Sequence, residues 1–225
     1  MTDGELLARL IGYGMPKADA PALAGRMLRK HGSLAPVLES LPADLVRAHG
    51  LSESAARLIH LIPELTRYAA LERLRATEHV GTFLEAGAYL AQLYIGQSNE
   101  CFYLLSLDAA GRLLDCSLVQ EGTVDEAPFY LRRILDLATR AGAYAVVLSH
   151  NHPSGTPYPS RGDVECTMLA LEALLPIDVL VLDHVLIADG QPQSMRRSDA
   201  MPEVLFTRQR PGDALIDNWY EEDNK

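Results

Sequence analysis

The run Val146-Val147-Leu148-Ser149-His150-Asn151-His152-Pro153-Ser154-Gly155 places two imidazoles one residue apart at the end of an apolar stretch. In an extended backbone residues i and i+2 project to the same side, so His150 and His152 can offer both rings to one ion. A loop rich in Pro, Ser and Gly spans residues 150–162 and returns the chain to Asp163, eleven residues after His152 and at the start of a helical pattern. Two neutral nitrogens and one carboxylate oxygen form a hard-to-borderline donor set that suits Zn²⁺. Three protein donors leave the fourth tetrahedral position for water, as in catalytic rather than structural zinc sites. A lone histidine after a strand is more often a hydrogen-bonded surface residue. It is the whole string, His-x-His-Pro followed by Ser160-x-x-Asp163, that makes metal binding the specific reading. Cys166, about one helical turn beyond Asp163, is a conceivable fourth ligand that would make the zinc structural instead.

These residues need elements to hold them. Tyr144 to Ser149 reads as a short, nearly all-apolar strand of the kind buried on both faces, and Asp163 to Leu174 as a helix. Ile177 to Ile187 is a long apolar strand. Within it, Asp183 and His184 read first as a buried, hydrogen-bonded pair, with support of a metal ligand as the second reading. Upstream, Phe83 to Tyr94 is a helix ending at Gly96. Cys101 to Leu107 and Arg112 to Gln120 form a hairpin about the turn Asp108 to Gly111, and Phe129 to Ala141 is a helix. The tail from Phe206 onward is expected to be loosely held.

Residues 1–76 read as helices throughout. Leu6, Leu7, Leu10 and Ile11 share a face of a short helix that stops at Gly12-Tyr13-Gly14-Met15-Pro16. Asp19 caps a helix running to Lys30, and Ser33 caps one running to Ser40. Asp44 to Ala48 adds a turn or two. A long helix then opens at Ser52 and runs to about Arg75, with Pro63 predicting a kink or break. The organisation expected is a small all-helical domain over residues 1–76, an α/β (α+β) domain of strands and helices over 79–205, and a C-terminal tail over 206–225.

With 48% hydrophobic and 22% charged residues the chain can bury a substantial core, which argues against intrinsic disorder. No apolar stretch is long enough for a membrane span, and Met1-Thr2-Asp3-Gly4-Glu5 does not open a secretory signal. The three scattered cysteines, Cys101, Cys116 and Cys166, exclude a disulfide framework or an all-cysteine zinc site and fit reduced thiols in a cytoplasm. Residues 1–78 carry 10 Lys and Arg against 9 Asp and Glu, a net of +1, which leaves −11 of the total −10 to residues 79–225. Duplex binding relies on a basic patch, so the second part is a poor partner for nucleic acid and the first merely permits it. Tyr13, Met15, Tyr94 and Trp219 are too scattered to be assigned as contacts.

The string from His150 to Asp163 resembles the JAMM motif of JAB/MPN-domain metallohydrolases, and His150-Asn-His-Pro-Ser-Gly155 is similar to the variant found in the RadC family of bacterial proteins. Gly4-Glu5-Leu-Leu-Ala8, Leu28-Arg-Lys-His-Gly-Ser-Leu34, Gly122-Thr123 and Leu182-Asp-His184 resemble landmarks of that family in the same order, so the likeness covers roughly residues 3–200. The resemblance implies a helix-hairpin-helix-like domain followed by a JAB/MPN (cytidine-deaminase-like) domain, with a mixed sheet flanked by helices. It also implies a zinc metallopeptidase in which His150, His152 and Asp163 hold Zn²⁺, Glu100 is the general base and Ser160 stabilises the oxyanion. The substrate implied is a peptide or isopeptide bond. Read alone, Glu100 is also an ordinary strand-edge acid, and Ser160 also a helix cap. The chain departs from the family at Leu131-Arg132-Arg133, where Pro-Arg-Glu is usual, and over Ser194-Met-Arg-Arg-Ser-Asp-Ala200, which lacks the usual acid soon after Ser194. Both departures bear on substrate recognition and leave the metal ligands intact.

Two other readings stand beside this one. Leu45 to Ala55 resembles a helix-hairpin-helix whose turn, Gly50-Leu51-Ser52, has Ser52 in place of a second glycine. Such turns present backbone N–H groups to a DNA phosphate, and the family's association with DNA repair implies a DNA-binding accessory protein acting through residues 1–75, with Arg47 and Arg57 as contacts. A packing or partner-contact role for these helices is the blander reading. The third is a scaffold without catalysis, as in MPN domains that lack the metal ligands.

Overall fold

The computed structural model describes residues 1–74, 79–122, 127–201, 204–207 and 209–220. The chain divides into two compact units, Met1–Ala70 and Leu71–Lys225. Among the described residues no helix is long and apolar enough to cross a membrane.

The first unit is helical: α1 (Asp3–Gly14), α2 (Ala20–His31), α3 (Leu34–Glu39), α4 (Pro42–His49) and α5 (Glu53–Leu74), the last opening in this unit. Thr2 and Glu5 form a capping box on α1, and the Asp19 side chain accepts from the Ala22 N–H at the start of α2. Leu7, Ile11, Leu23, Met27, Val37, Leu45 and Ile59 build its core. Helix α1 ends at Gly14, within the stop expected over Gly12 to Pro16, and a Cβ on Gly14 would lie 2.5 Å from the Ala55 backbone, so the glycine permits a close approach. Helix α5 runs through Pro63 without a break.

The second unit is built on a five-stranded sheet of order β2-β1-β3-β4-β5, with β1 (Cys101–Leu107), β2 (Leu113–Glu121), β3 (Ala145–His152), β4 (Leu180–Ala188) and β5 (Gln191–Ser194). Only β3 and β4 pair in parallel, joined through helix α8 (Arg161–Leu174); the remaining neighbours are antiparallel, so the sheet is mixed as expected. Alternate residues feed two apolar clusters. Leu105, Val147 and Leu182 pack with Leu90 of α6 (Phe83–Leu93), whereas Leu104, Val146 and Leu148 pack with Ile134 and Ala138 of α7 (Ala127–Ala141) and Leu171 of α8. A sheet covered on both faces explains why β3 and β4 read as continuous apolar runs.

Three local readings are corrected. Strand β3 continues through His152 rather than ending at Ser149. Strand β5 was not anticipated. It is a short polar edge strand containing Pro192, and its signal was the Asp189-Gly190 turn, where both residues have positive φ (49° and 72°), the primed-turn geometry of a two-residue hairpin. The C-terminal segment is not loosely held. Phe206 and Trp219 are fully buried, and the Trp219 indole donates to Asp183 Oδ2 at 3.1 Å. Residues 221–225 lie outside the described residues.

Candidate metal centre

Strand β3 delivers His150 and His152 from one face at its C-terminal end, the face also occupied by Val146 and Leu148 and covered by α8. The chain then turns at Gly155, whose φ of +75° and close approach to the Asp189 carboxylate, 2.7 Å from where a Cβ would sit, admit no side chain. It re-enters helix at α8. Ser160 is the N-cap, its Oγ accepting from the Asp163 N–H at 3.2 Å while the Ser160 N–H donates to Asp163 Oδ2 at 2.6 Å. This capping box holds the Asp163 carboxylate over the first turn and directs it back at the histidines.

The three predicted ligands converge. His150 Nε2 and His152 Nε2 are 3.1 Å apart, and Asp163 Oδ1 and Oδ2 lie 3.4 Å and 3.5 Å from them respectively. Among the described residues this is the only group of three or more His, Cys, Asp or Glu side chains close enough to share an ion. His150 is buried, while His152 and Asp163 keep about 15% of their side-chain surface in solvent, so the cluster reaches solvent on the side of those two residues. Burial works against charge on Asp163, but the His150 imidazole and the Ser160 donors outweigh it and hold the carboxyl well below its ordinary range.

Whether this set suits a metal can be tested at His152. Its Nδ1 lies 2.8 Å from the Thr156 carbonyl oxygen, which can only accept, so Nδ1 carries the proton and Nε2 presents a lone pair to the cluster. A lone pair aimed at an ionised carboxylate and a second imidazole is the environment of a cation. The donors fit Zn²⁺ in kind and number.

Ser160 is confirmed as the cap; that role uses a lone pair of its oxygen and leaves the hydroxyl proton able to donate. Glu100 is exposed and immediately precedes β1. Phe102 pairs with His150 in the antiparallel register of β1 and β3, and Glu100 lies two residues before Phe102, just beyond the paired stretch. Its backbone is pinned on both sides. The buried Asn151 side chain accepts from the Cys101 N–H at 2.7 Å and donates to the Asn99 carbonyl at 3.1 Å, and the Gly122 N–H donates to the Glu100 carbonyl at 2.8 Å. Cys166 does not join the cluster, and burial pushes its thiol up to about 11. Thr123 lies outside the described residues. Of Leu131-Arg132-Arg133, Arg133 donates to the Leu118 carbonyl at 3.1 Å.

Asp183 and His184 are both fully buried but do not bond side chain to side chain. The Asp183 carboxylate accepts from Ser194, Trp219 and Tyr220 and from the His184 and Arg196 backbone N–H groups. His184 turns instead to the metal cluster. Its Nε2 is 2.8 Å from His150 Nδ1 and its Nδ1 is 2.6 Å from Thr167 Oγ1. Burial, then the neighbouring His150, hold His184 well below the usual imidazole value. Phe102 lies parallel to the His150 ring at 6.3 Å between centroids. Asn151 and Thr167 had no role in the sequence reading. Thr167 was discoverable as the residue one turn after Asp163 on the same face of α8.

Residues 81–200, just over half of the chain, match the family described as RadC-like JAB domain. The chain belongs to the RadC family. Similarity extends beyond the JAB domain. A UPF0758 protein of Stenotrophomonas maltophilia is 39% identical over 196 residues, 86% of this chain and 83% of the relative. UPF0758 proteins of Azotobacter vinelandii (36% over 195 residues, 87% of each chain) and Idiomarina loihiensis (33% over 194 residues, 86% and 87%) are similar over comparable spans. The His-x-His strand end and the capped Asp163 thus lie within the RadC-like JAB domain, with its hydrolase-type fold.

Proposed function

We propose that the protein is a zinc-dependent hydrolase of the JAMM type that cleaves a peptide or isopeptide bond. The observation that carries this reading is the convergence of two imidazole nitrogens and one ionised carboxylate with a solvent-facing side. His150, His152 and Asp163 would hold Zn²⁺, which when bound acts as a Lewis acid and can lower the pKa of coordinated water to about 7.

The chain's own residues supply the remainder. The Glu100 carboxylate, on the segment that leads into β1 and that the Asn151 amide brackets, takes the proton from the attacking water and returns it to the leaving amine. The Ser160 hydroxyl, whose proton is not used by the helix cap, donates to the carbonyl oxygen of the scissile bond as it gains charge. Phe102 and the packed face of α8 keep the His150 side of the centre dry, which strengthens each of these interactions.

A screen of peptide and isopeptide substrates on wild type and Glu100→Gln together tests the reading. Turnover in wild type and its loss in the metal-loaded variant support it; equal rates in both remove Glu100 from the mechanism. The competing reading, a DNA-binding accessory protein, has less support. Its two arginines, Arg47 and Arg57, are exposed but each is engaged by an acid of its own helix, Asp44 and Glu53. Duplex binding that weakens steeply with salt and maps to residues 1–75 would favour it; no affinity at ~50 mM salt would remove it.

A further inference from the structure

We infer that Thr167 and His184 are positioning residues that set the tautomer of His150, fixing its proton on Nδ1 so that Nε2 faces the cluster as a bare donor. This rests on the metal-centre reading above and adds to it the reason His150 is a competent ligand.

The direction of each hydrogen bond follows from which atoms can donate. Thr167 Oγ1 lies 2.6 Å from the Asp163 backbone carbonyl. Two oxygens that close repel unless a proton lies between them, and a carbonyl has none to give, so the threonine donates its single hydroxyl proton there. Toward His184 the same oxygen can then only accept, and the 2.6 Å contact to Nδ1 requires Nδ1–H on His184. In the neutral imidazole the other nitrogen is bare. His184 Nε2 therefore accepts, across 2.8 Å, a proton that must sit on His150 Nδ1. His150 Nε2 is left with its lone pair, 3.1 Å from His152 Nε2. The Thr156 carbonyl does the same for His152 in one step. Both chains end on a main-chain carbonyl and deliver the same outcome, two lone pairs pointing at one point.

The fold takes a specific measure to put His184 there. The parallel register of β3 and β4 shifts between Val146 and Val147, whose partners are Val181 and Asp183, so Leu182 is an extra residue. Without that bulge Leu148 would lie beside Asp183. With it, Leu148 pairs with His184, which projects to the face that carries His150, while Leu182 and Val185 both reach the opposite cluster. Bulges of this kind re-aim a side chain.

The test reads tautomers directly. In ¹⁵N-labelled, metal-free protein, long-range ¹H–¹⁵N spectra of the imidazoles should show His150 protonated on Nδ1, with His184 likewise. Finding the His150 proton on Nε2 overturns the inference, and this measurement needs neither zinc nor a substrate, so it stands apart from the hydrolase reading. Thr167→Val removes the acceptor for His184. Its His150 should populate both tautomers and its affinity for Zn²⁺ should fall about 10–100-fold. Thr167→Ser, which restores the hydroxyl, should recover both. A folded Thr167→Val protein with a wild-type tautomer and wild-type zinc affinity would contradict the proposal. Absence of hydrolysis alongside the expected tautomers would count against the hydrolase reading alone.

Discussion

Among the described residues, two pairs of histidines bring their Nε2 atoms to nearly the same spacing. His31 and His49, at the C-terminal ends of α2 and α4, bring their Nε2 atoms to 3.0 Å; His150 and His152 bring theirs to 3.1 Å. Only the second pair is joined by a carboxylate: among the described residues no third His, Cys, Asp or Glu lies close enough to complete a site with His31 and His49. The electrostatics differ too. The charged neighbours that act on His49 are Lys30 and Arg26, which repel a cation, whereas Asp163 attracts one. Proximity of two imidazoles therefore does not define a metal centre. What distinguishes the β3 pair is an ionised third donor in front and a main-chain acceptor chain behind each ring.

The largest effect that can break this contrast is on metal content. His150→Ala and Asp163→Ala should take zinc from one ion per chain to none, while His31→Ala and His49→Ala should leave it unchanged. Loss of zinc in a His31 variant would place the metal in the wrong unit. Next, Glu100→Gln should keep its zinc yet lose roughly 10²–10⁴ in turnover of an amide substrate, and His49→Gln should turn over that substrate at the wild-type rate. Third, removing Trp219, whose indole reaches Asp183 in the core of the second unit, should destabilise that unit by about 3–5 kcal/mol in Trp219→Ala, as read by chemical denaturation. A loss under ~1 kcal/mol would return the C-terminal segment to a loosely held tail.

A smaller difference separates the pairs when zinc is added. At ~100-fold excess over its Kd, zinc should raise the unfolding free energy of the second unit by about 2.7 kcal/mol. Amide exchange at Leu148 should slow, and at Leu23 it should not. The smallest effect concerns pH. Burial first, then the charges of His31, Lys30 and Arg26, hold His49 below its ordinary value of 6.5. The unfolded chain thus takes up this proton before the folded one, so its contribution is intact above pH 6.5 and is lost as pH falls through the lower folded value. Denaturant titrations at pH 7.5 and 5.5 should show the first unit weakening, and His49→Gln should flatten that slope.

The ligand set was legible because it is local. His150 and His152 are i and i+2 in a strand, and Asp163 opens the helix that follows, so strand period and helix start suffice. The individual strands and helices were legible from apolar runs alternating with helical periodicity, and the mixed sheet they form from the resemblance to the JAB/MPN fold. The partners behind the ligands were not. His184 reaches His150 from 34 residues away, through a parallel register that depends on one extra residue at Leu182. Nothing in the local pattern marks that bulge. Nor does the local pattern mark Asn151, whose amide takes the place of the next β1–β3 backbone pairing and brackets Glu100. At Pro63 the expected break is absent, and α5 continues from Glu53 to Leu74.

The central claim is that His150, His152 and Asp163 hold one zinc ion and leave one position to water. Anomalous diffraction at the zinc edge from crystals of the full chain, purified without chelator, tests it most directly. The account predicts a single peak bounded by two imidazole Nε2 atoms at about 2.0–2.1 Å, one Asp163 oxygen at about 2.0–2.2 Å and a solvent oxygen. No peak there, a peak at His31 and His49 instead, or a fourth ligand supplied by the polypeptide would contradict it.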